Sequence, residues 1–280
     1  MSTPILRRLL DRAVALWMAA CLVLAAVPVA VLFAYVVARG GPGLLSVAFF
    51  TQRPHPVGVP GGGVANAIVG TLIIVGLASV VAVPFGSLIG IFLSEFGRNR
   101  LGDAVRFVSD VMTGLPSIAF GIFAYAVLVA PLHRFSGVAG SLALAVLMLP
   151  LILRAAESAM LLVPLALREA GLALGAPQWR VTLQIVVPAA LGGIVTGALL
   201  AVARAAGETA PLLFTALGND FIQVNPASGP MAALSLTVFR NAGLPYTDLQ
   251  NQAWAAALLL VILVSITNIL ARLYVRRVQA

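Results

Sequence analysis

The sequence predicts an all-α integral membrane protein of six transmembrane helices, and three observations carry that prediction. Hydrophobic residues make up 61% of the 280 positions and charged residues only 9%, with a mean hydropathy of +1.07, whereas about a quarter of an ordinary soluble domain is charged. Six stretches are apolar over the roughly 20 residues that a helix needs to cross a bilayer. The basic residues, finally, are divided unequally between the two sides that those crossings define.

The first span is expected at residues 13–37. Arg7, Arg8 and Arg12 precede it as they would a signal peptide, but its apolar run exceeds the roughly 7 to 15 residues of a signal h-region, so it reads as an uncleaved span. The others are expected at residues 64–94, 105–130, 138–163, 189–216 and 253–275. Spans two to five each contain a proline (Pro84, Pro116, Pro150 and Pro211), and the pairs Gly86 with Gly90 and Gly193 with Gly197 lie four residues apart. Small residues at that spacing let helix backbones approach closely, and prolines free carbonyls and permit bends. Between spans, residues 39–63 are rich in Gly and Pro and read as irregular. Residues 217–252 are long enough for a short helix near 231–242.

All 17 basic residues are Arg. Eleven of them fall before span one, follow spans two and four, or close the chain, and four (Arg39, Arg53, Arg134 and Arg240) fall on the other side. The positive-inside rule then places both termini in the cytoplasm, in a multi-pass chain of the plasma (inner) membrane. The same distribution accounts for the net charge of +8 without nucleic acid as a partner; membrane lipid is the expected surroundings. The absence of Lys excludes a P-loop and Schiff-base chemistry. Cys21 is the single cysteine, and His55 and His133 lie apart from other ligand-type residues, so neither a disulfide nor a metal site is expected.

Two arginines remain, and both fall within spans. Arg154 is followed three residues later by Glu157, and Arg204 four residues later by Glu208, spacings that share a helix face. A charge at the centre of a membrane helix costs about 2.5 to 3.5 kcal/mol and is usually turned to a cavity or a partner. One reading is that each Glu neutralises its Arg and the pairs hold helices together. The other is that the four residues line a substrate path. The guanidinium is a planar fork of donors that stays charged, which suits a tetrahedral oxyanion better than a cation or a sugar.

Residues 168–190, REAGLALGAPQWRVTLQIVVPAA, are polar enough to leave the membrane after span four. Gly175, Ala176 and Pro177 divide them into two short helices. Leu172, Leu174, Trp179, Val181 and Ile185 need something to pack on, either a groove on another protein or the membrane surface.

This stretch resembles the EAA loop of ABC importer permeases. Glu169, Ala170 and Gly171, then Gly175 four residues on, then Ile185 to Pro188, follow its pattern, with Gly171 in place of the third Ala and Val187 in place of Leu. A more specific likeness lies in ARAAGETAPLLFTA, from Ala203 to Ala216, which resembles the PstA-type permeases of phosphate importers. Gly114-Leu115-Pro116-Ser117-Ile118 and Asn268-Ile269-Leu270-Ala271-Arg272 agree with it.

The resemblance implies the type I ABC importer permease fold, with residues 1–63 forming a first helix and outer loop and residues 64–280 a five-helix core. It implies a PstC-like permease subunit beside this chain, a dimer of ATPase subunits docked on residues 168–190, and an extracytoplasmic phosphate-binding protein. It assigns Glu169, Ala170, Gly171, Gly175, Ile185 and Pro188 to ATPase coupling, and Arg154, Glu157 and Arg204 to transport; Glu208 joins them by proximity. ATP and Mg would sit on the ATPase, with no cofactor and no catalytic residue in this subunit. The alternatives are another oxyanion (sulfate, molybdate or phosphonate) and an ion-driven secondary transporter.

Overall fold

In a computed structural model, which describes residues 4–59 and 61–279, the chain is helical, and the described residues form no strand beyond a single bridge between Leu217 and Met231. Residues 1–3, Pro60 and Ala280 lie outside the described residues; with them go the two chain ends assigned to the cytoplasm and one proline of the first outer loop. Helix α1 (Pro4–Leu44) is much longer than the expected first span. It runs through Arg39, whose guanidinium lies 5.5 Å from the Tyr35 ring centroid, so the outer loop begins at Leu45 rather than at residue 39. A short helix, α2 (Val47–Thr51), interrupts that loop.

Residues 10–35 of α1 are exposed throughout, and from Ala13 on they form an apolar surface that only lipid or another subunit can cover. Among the described residues only its outer end packs on this chain. Gly40 faces Trp254 and Leu258, and Tyr35 meets the Trp254 ring edge-on at 5.0 Å.

Helix α3 (Ala65–Phe96) crosses back to the cytoplasmic side and is continuous through Pro84. Next, α4 (Arg100–Gly114), capped by Asn99 accepting from the Gly102 amide at 2.9 Å, meets α5 (Ser117–Ala124) at a bend of 105°. The third expected span is therefore two helices. Among the described residues five helices are long and apolar enough to cross a membrane, and this bent pair makes a sixth crossing if counted as one. Pro116 is the N-cap of α5 rather than an interior kink. A π-helical turn (Tyr125–Val129) leads from α5 into α6 (Ala130–Leu132).

Helix α7 (Gly137–Leu161) is the centre of the bundle, and continues through Pro150. Beyond it lie α8 (Leu165–Ala173) and α9 (Gln178–Val181), then a second π turn (Thr182–Val186) and α10 (Val187–Gly207). Each π turn stands just before a proline, Pro131 and Pro188. A proline ring clashes with the carbonyl four residues back, and the wider turn relieves that clash without ending the helix.

The fifth expected span also stops early. It ends at Gly207, and Pro211 lies in the first turn of a separate helix, α11 (Ala210–Thr215). The chain then passes Leu217, held at φ 61°, to α12 (Leu234–Ala242) and the last crossing, α13 (Thr247–Gln279). Helix α12 is the short outer helix that the length of residues 217–252 predicts.

Helices α3 and α10 pack on α7 through the expected glycine pairs. A Cβ on Gly86 would lie 2.9 Å from that of Ile152, and Gly193 and Gly197 abut Ala159 and Ala155. Ile74, Ala78 and Ala82 of α3, Leu144, Met148 and Ile152 of α7, and Ala198, Ala201 and Ala205 of α10 form one buried core. With no hydrophobic drive between helices in lipid, this close backbone contact supplies the dispersion that holds the bundle.

Candidate functional site

Glu157 lies one turn from the cytoplasmic end of α7, with its side chain only 6% exposed. Its Oε2 accepts from Arg154 Nη1 at 3.0 Å, the pair expected from their spacing. A second arginine joins them from α4: Arg106 Nε donates to Glu157 Oε1 at 2.6 Å. Asp110, one turn further along α4, accepts from Arg154 Nη2 at 2.5 Å and Nε at 3.1 Å. Arg154 is thus not in a private pair with Glu157. Arg106 Nη1 also donates to Asp103 Oδ1 at 3.3 Å, so Arg154 belongs to a network of five side chains, two positive and three negative.

The sequence reading passes over Arg106 and Asp110 because residues 105–130 read as one apolar span, with Arg106 at its very start counted among the cytoplasmic arginines. Asp103, Arg106 and Asp110 nevertheless fall at i, i+3 and i+7, one face of a helix, while Leu101, Val108 and Val111 lie off that face. That period was the available signal of an amphipathic helix. Arg106 also donates to the carbonyls of Gly97 (2.8 Å) and Leu93 (2.9 Å), binding α4 to the end of α3.

Arg204 is held far more loosely. Its side chain is 54% exposed, and among the described residues it makes one hydrogen bond, Nε to Glu208 Oε1, at 3.4 Å. Glu208 is not on the same helix; it caps the C-terminus of α10 in extended conformation, and its carbonyl accepts from Ser235 Oγ at 2.9 Å. Arg204 thus projects from the last turn of α10, where the carbonyl ends favour a cation. It borders a crevice formed by Met112, Thr113 and Leu115 at the α4–α5 bend and by Leu147, Pro150 and Leu151 of α7. Helices α10 and α7 run antiparallel, with Gly193 against Ala159 and Gly197 against Ala155. Continuing that register puts Arg204 level with Met148, about six residues or ~9 Å along the axis from Arg154. The two guanidinium groups therefore border one side of α7 at different depths.

The cytoplasmic loop divides into two kinds of residue. Gly171 is buried, and a Cβ there would lie 2.8 Å from Ile185 Cδ1 and 2.9 Å from Val181 Cγ2. The glycine where the EAA pattern has alanine thus lets α8 close onto the start of the next crossing. Val181 and the half-buried Ile185 pack in a cluster with Met160, Val163 and Val186. Gly175, at φ +79°, makes the turn between α8 and α9 that a residue with a Cβ enters only with strain. Pro188 is exposed in the first turn of α10. Glu169, Ala170, Leu172, Leu174 and Trp179 are exposed, and among the described residues nothing covers their outer face. Arg168, beside Glu169, forms an ion pair with Glu95 at the end of α3.

Residues 82–280 match the family model described as binding-protein-dependent transport system inner membrane component. The chain is 45% identical over 229 residues to the phosphate transport system permease protein PstA of Yersinia pestis, covering 81% of this chain and 77% of that one. It is 44% identical over 239 residues to PstA of Haemophilus influenzae, covering 85% and 84%. To PstA 1 of Mycobacterium tuberculosis H37Rv the identity is 38% over 260 residues, covering 89% and 82%. Among solved structures, a chain of the inward-facing MetNI methionine ABC transporter superposes with a TM-score of 0.64 at 21% identity, over 77% of this chain and 95% of that one. That likeness concerns the fold.

Proposed function

The chain belongs to the family of binding-protein-dependent transport system inner membrane components, and from that premise we propose that it forms the membrane path for inorganic phosphate in an ATP-driven importer, with Arg204 as the side chain that meets the anion. It is a permease subunit and not an enzyme. ATP, Mg and hydrolysis belong to the ATPase subunits, and the binding-protein-dependent class leaves no place for the ion-driven alternative.

The observation that carries the reading is the unequal pairing of the two intramembrane arginines. Arg204 has one long bond and more than half of its side chain open beside the α4–α5 crevice. Most of its fork is therefore available to an oxyanion. In a site that excludes water a charge interaction is much stronger than in bulk solvent, so a single guanidinium draws in phosphate. Glu208 beside it limits that attraction, and an anion held too tightly would not leave. Arg154, its donors engaged by Asp110 and Glu157, is a barrier further in. Phosphate passes it only after the carboxylates give way.

Glu169, Ala170, Leu172, Leu174 and Trp179 offer a compact apolar and acidic knob to a groove on the ATPase, while Gly171, Gly175, Ile185 and Pro188 shape the backbone beneath it. The exposed length of α1 is an apolar surface of the right kind for a PstC-like second permease subunit.

The test is ATP-dependent uptake of radiolabelled phosphate into vesicles carrying the complete complex. Phosphate uptake that excess sulfate or molybdate does not suppress, and that falls at least a hundredfold in an assembled Arg204→Gln complex, is the expected result. Undiminished transport by that variant would remove Arg204 from the path, and suppression by sulfate would change the cargo.

A further inference from the structure

The cytoplasmic end of α3 connects the loop that carries the EAA-like motif to the charge network on α7. Glu95, on the last turn of α3, has its side chain 7% exposed. It receives Arg168 Nη1 from α8 and, at 3.3 Å, Thr182 Oγ1 from the π turn that opens the next crossing. Arg168 directs its other branch, Nη2, to the Met160 carbonyl of α7 at 2.7 Å. On either side of Glu95, the carbonyls of Leu93 and Gly97 accept from the two terminal nitrogens of Arg106, whose Nε holds Glu157. The polar contacts therefore run unbroken from Arg168 through Glu95 and the end of α3 to Arg106, Glu157 and Arg154.

We propose that Glu95 is the positioning residue that transmits movement of the cytoplasmic loop to the Arg106–Glu157–Arg154 cluster, so that docking and closure of the ATPase reach the anion path through α3. This rests on the function proposed above. When α8 is displaced, Glu95 either follows Arg168, carrying the end of α3 with it, or is left without its cation in a nearly water-free site. The second course is strongly unfavourable, because a buried carboxylate that loses its partner keeps its desolvation penalty. Movement of the α3 end in turn shifts the two carbonyls that hold Arg106, and with them the guanidinium that shares Glu157 with Arg154. The apolar contact of Gly171 with Val181 and Ile185 ties α8 to its own crossing only; the carboxylate of Glu95 links the loop to a third helix.

Contiguity alone does not establish coupling, and a double-mutant cycle tests it. The complete complex in vesicles is assayed for phosphate taken up per ATP hydrolysed, in the native form and with Glu95→Gln, Arg168→Gln and both. Each single change is expected to lower that ratio at least fivefold. The double is expected to be no worse than the worse single, because both remove one link. An unaltered ratio in the assembled Glu95→Gln complex, or single effects that multiply in the double, overturns the proposal. If Glu95→Gln does not assemble, Thr182→Val, which loses only the longer bond, carries the test: a roughly twofold lower ratio supports the link and an unchanged one overturns it. Hydrolysis without any phosphate uptake in the native complex would instead refute the phosphate reading, and the role of Glu95 with it.

Discussion

Arg154 and Arg204 stand on adjacent antiparallel helices and border the same side of α7, yet their surroundings differ sharply. Arg154 makes three bonds to the carboxylates of Asp110 and Glu157. Arg204 makes one, at 3.4 Å, to a glutamate just beyond the end of its own helix. Where the medium offers few alternative partners, a guanidinium whose donors are spent fixes the position of helices, and one whose donors are free presents them to whatever passes. The same residue type is fully engaged in one place and left largely open in the other.

The largest effect should come from disturbing the engaged arginine. Glu157→Ala leaves two guanidinium groups, Arg106 and Arg154, short of a buried counter-charge, and loss of one partner from such a cluster costs about 3 to 5 kcal/mol. Thermal unfolding of the solubilised complex should show a large drop, with poor recovery of folded protein. A small shift would mean that the network is slack and that the two arginines are less different than their bonds indicate.

Packing changes come next. Gly197→Val forces a branched side chain into Ala155 and should cost about 1 to 3 kcal/mol by overpacking, lowering the same unfolding transition. Because it disturbs the α7–α10 register that sets the depth of Arg204, uptake should fall with it. Normal uptake in a destabilised Gly197→Val complex would separate the position of Arg204 from its function.

Asp110→Asn removes the charge that engages two nitrogens of Arg154 while keeping the shape. Asp110 is mostly exposed, so the stability change should stay near or below about 1 kcal/mol. Freed donors on Arg154 should make it more like Arg204, slowing release of the anion and lowering maximal uptake several-fold at saturating phosphate. Unchanged uptake kinetics would argue against the inner barrier.

The smallest stability effect belongs to Glu208→Gln. The partner of this long, half-open ion pair is more than half exposed, and pairs of that kind contribute about 0 to 1 kcal/mol. Unfolding should be almost unmoved, whereas phosphate uptake should change measurably in affinity or rate. If Glu208→Gln destabilises as much as Glu157→Ala, the contrast between the two arginines fails.

Much of the fold was legible in the chain, because lipid imposes so strict a condition on it. The crossings by α1, α3, α7, α10 and α13 follow from apolar length alone, and the helix near residues 231–242 and the break at Gly175 to Pro177 followed from loop length and turn chemistry. The prolines were less transparent. Pro84 and Pro150 lie within continuous helices, while Pro116 and Pro211 follow breaks. At the breaks a glycine precedes the proline by two or four residues, Gly114 and Gly207, and no such glycine precedes the other two. A preceding glycine does not by itself end a helix, since Pro42 follows Gly40 and Gly41 and still lies within α1. In the candidate site Arg154, Glu157, Arg204 and Glu208 stood out as charges in apolar runs. Glu95, Arg106 and Asp110 did not, because they lie at the edges of such runs, where charges are ordinary.

The sequence by itself determined which long segments are helical and that Arg154 and Glu157 share a helix face, since those depend on apolar length and on the 3.6-residue period; it did not show that α10 ends before Glu208. Only the tertiary structure decided which carboxylate each arginine meets. Arg106 and Glu157 are 51 positions apart, and Arg168 and Glu95 are 73 apart. Such pairs form only when the depth and rotation of separate helices agree. That agreement comes from glycines packed against alanines on α3, α7 and α10, a property of surfaces in contact that no single helix contains.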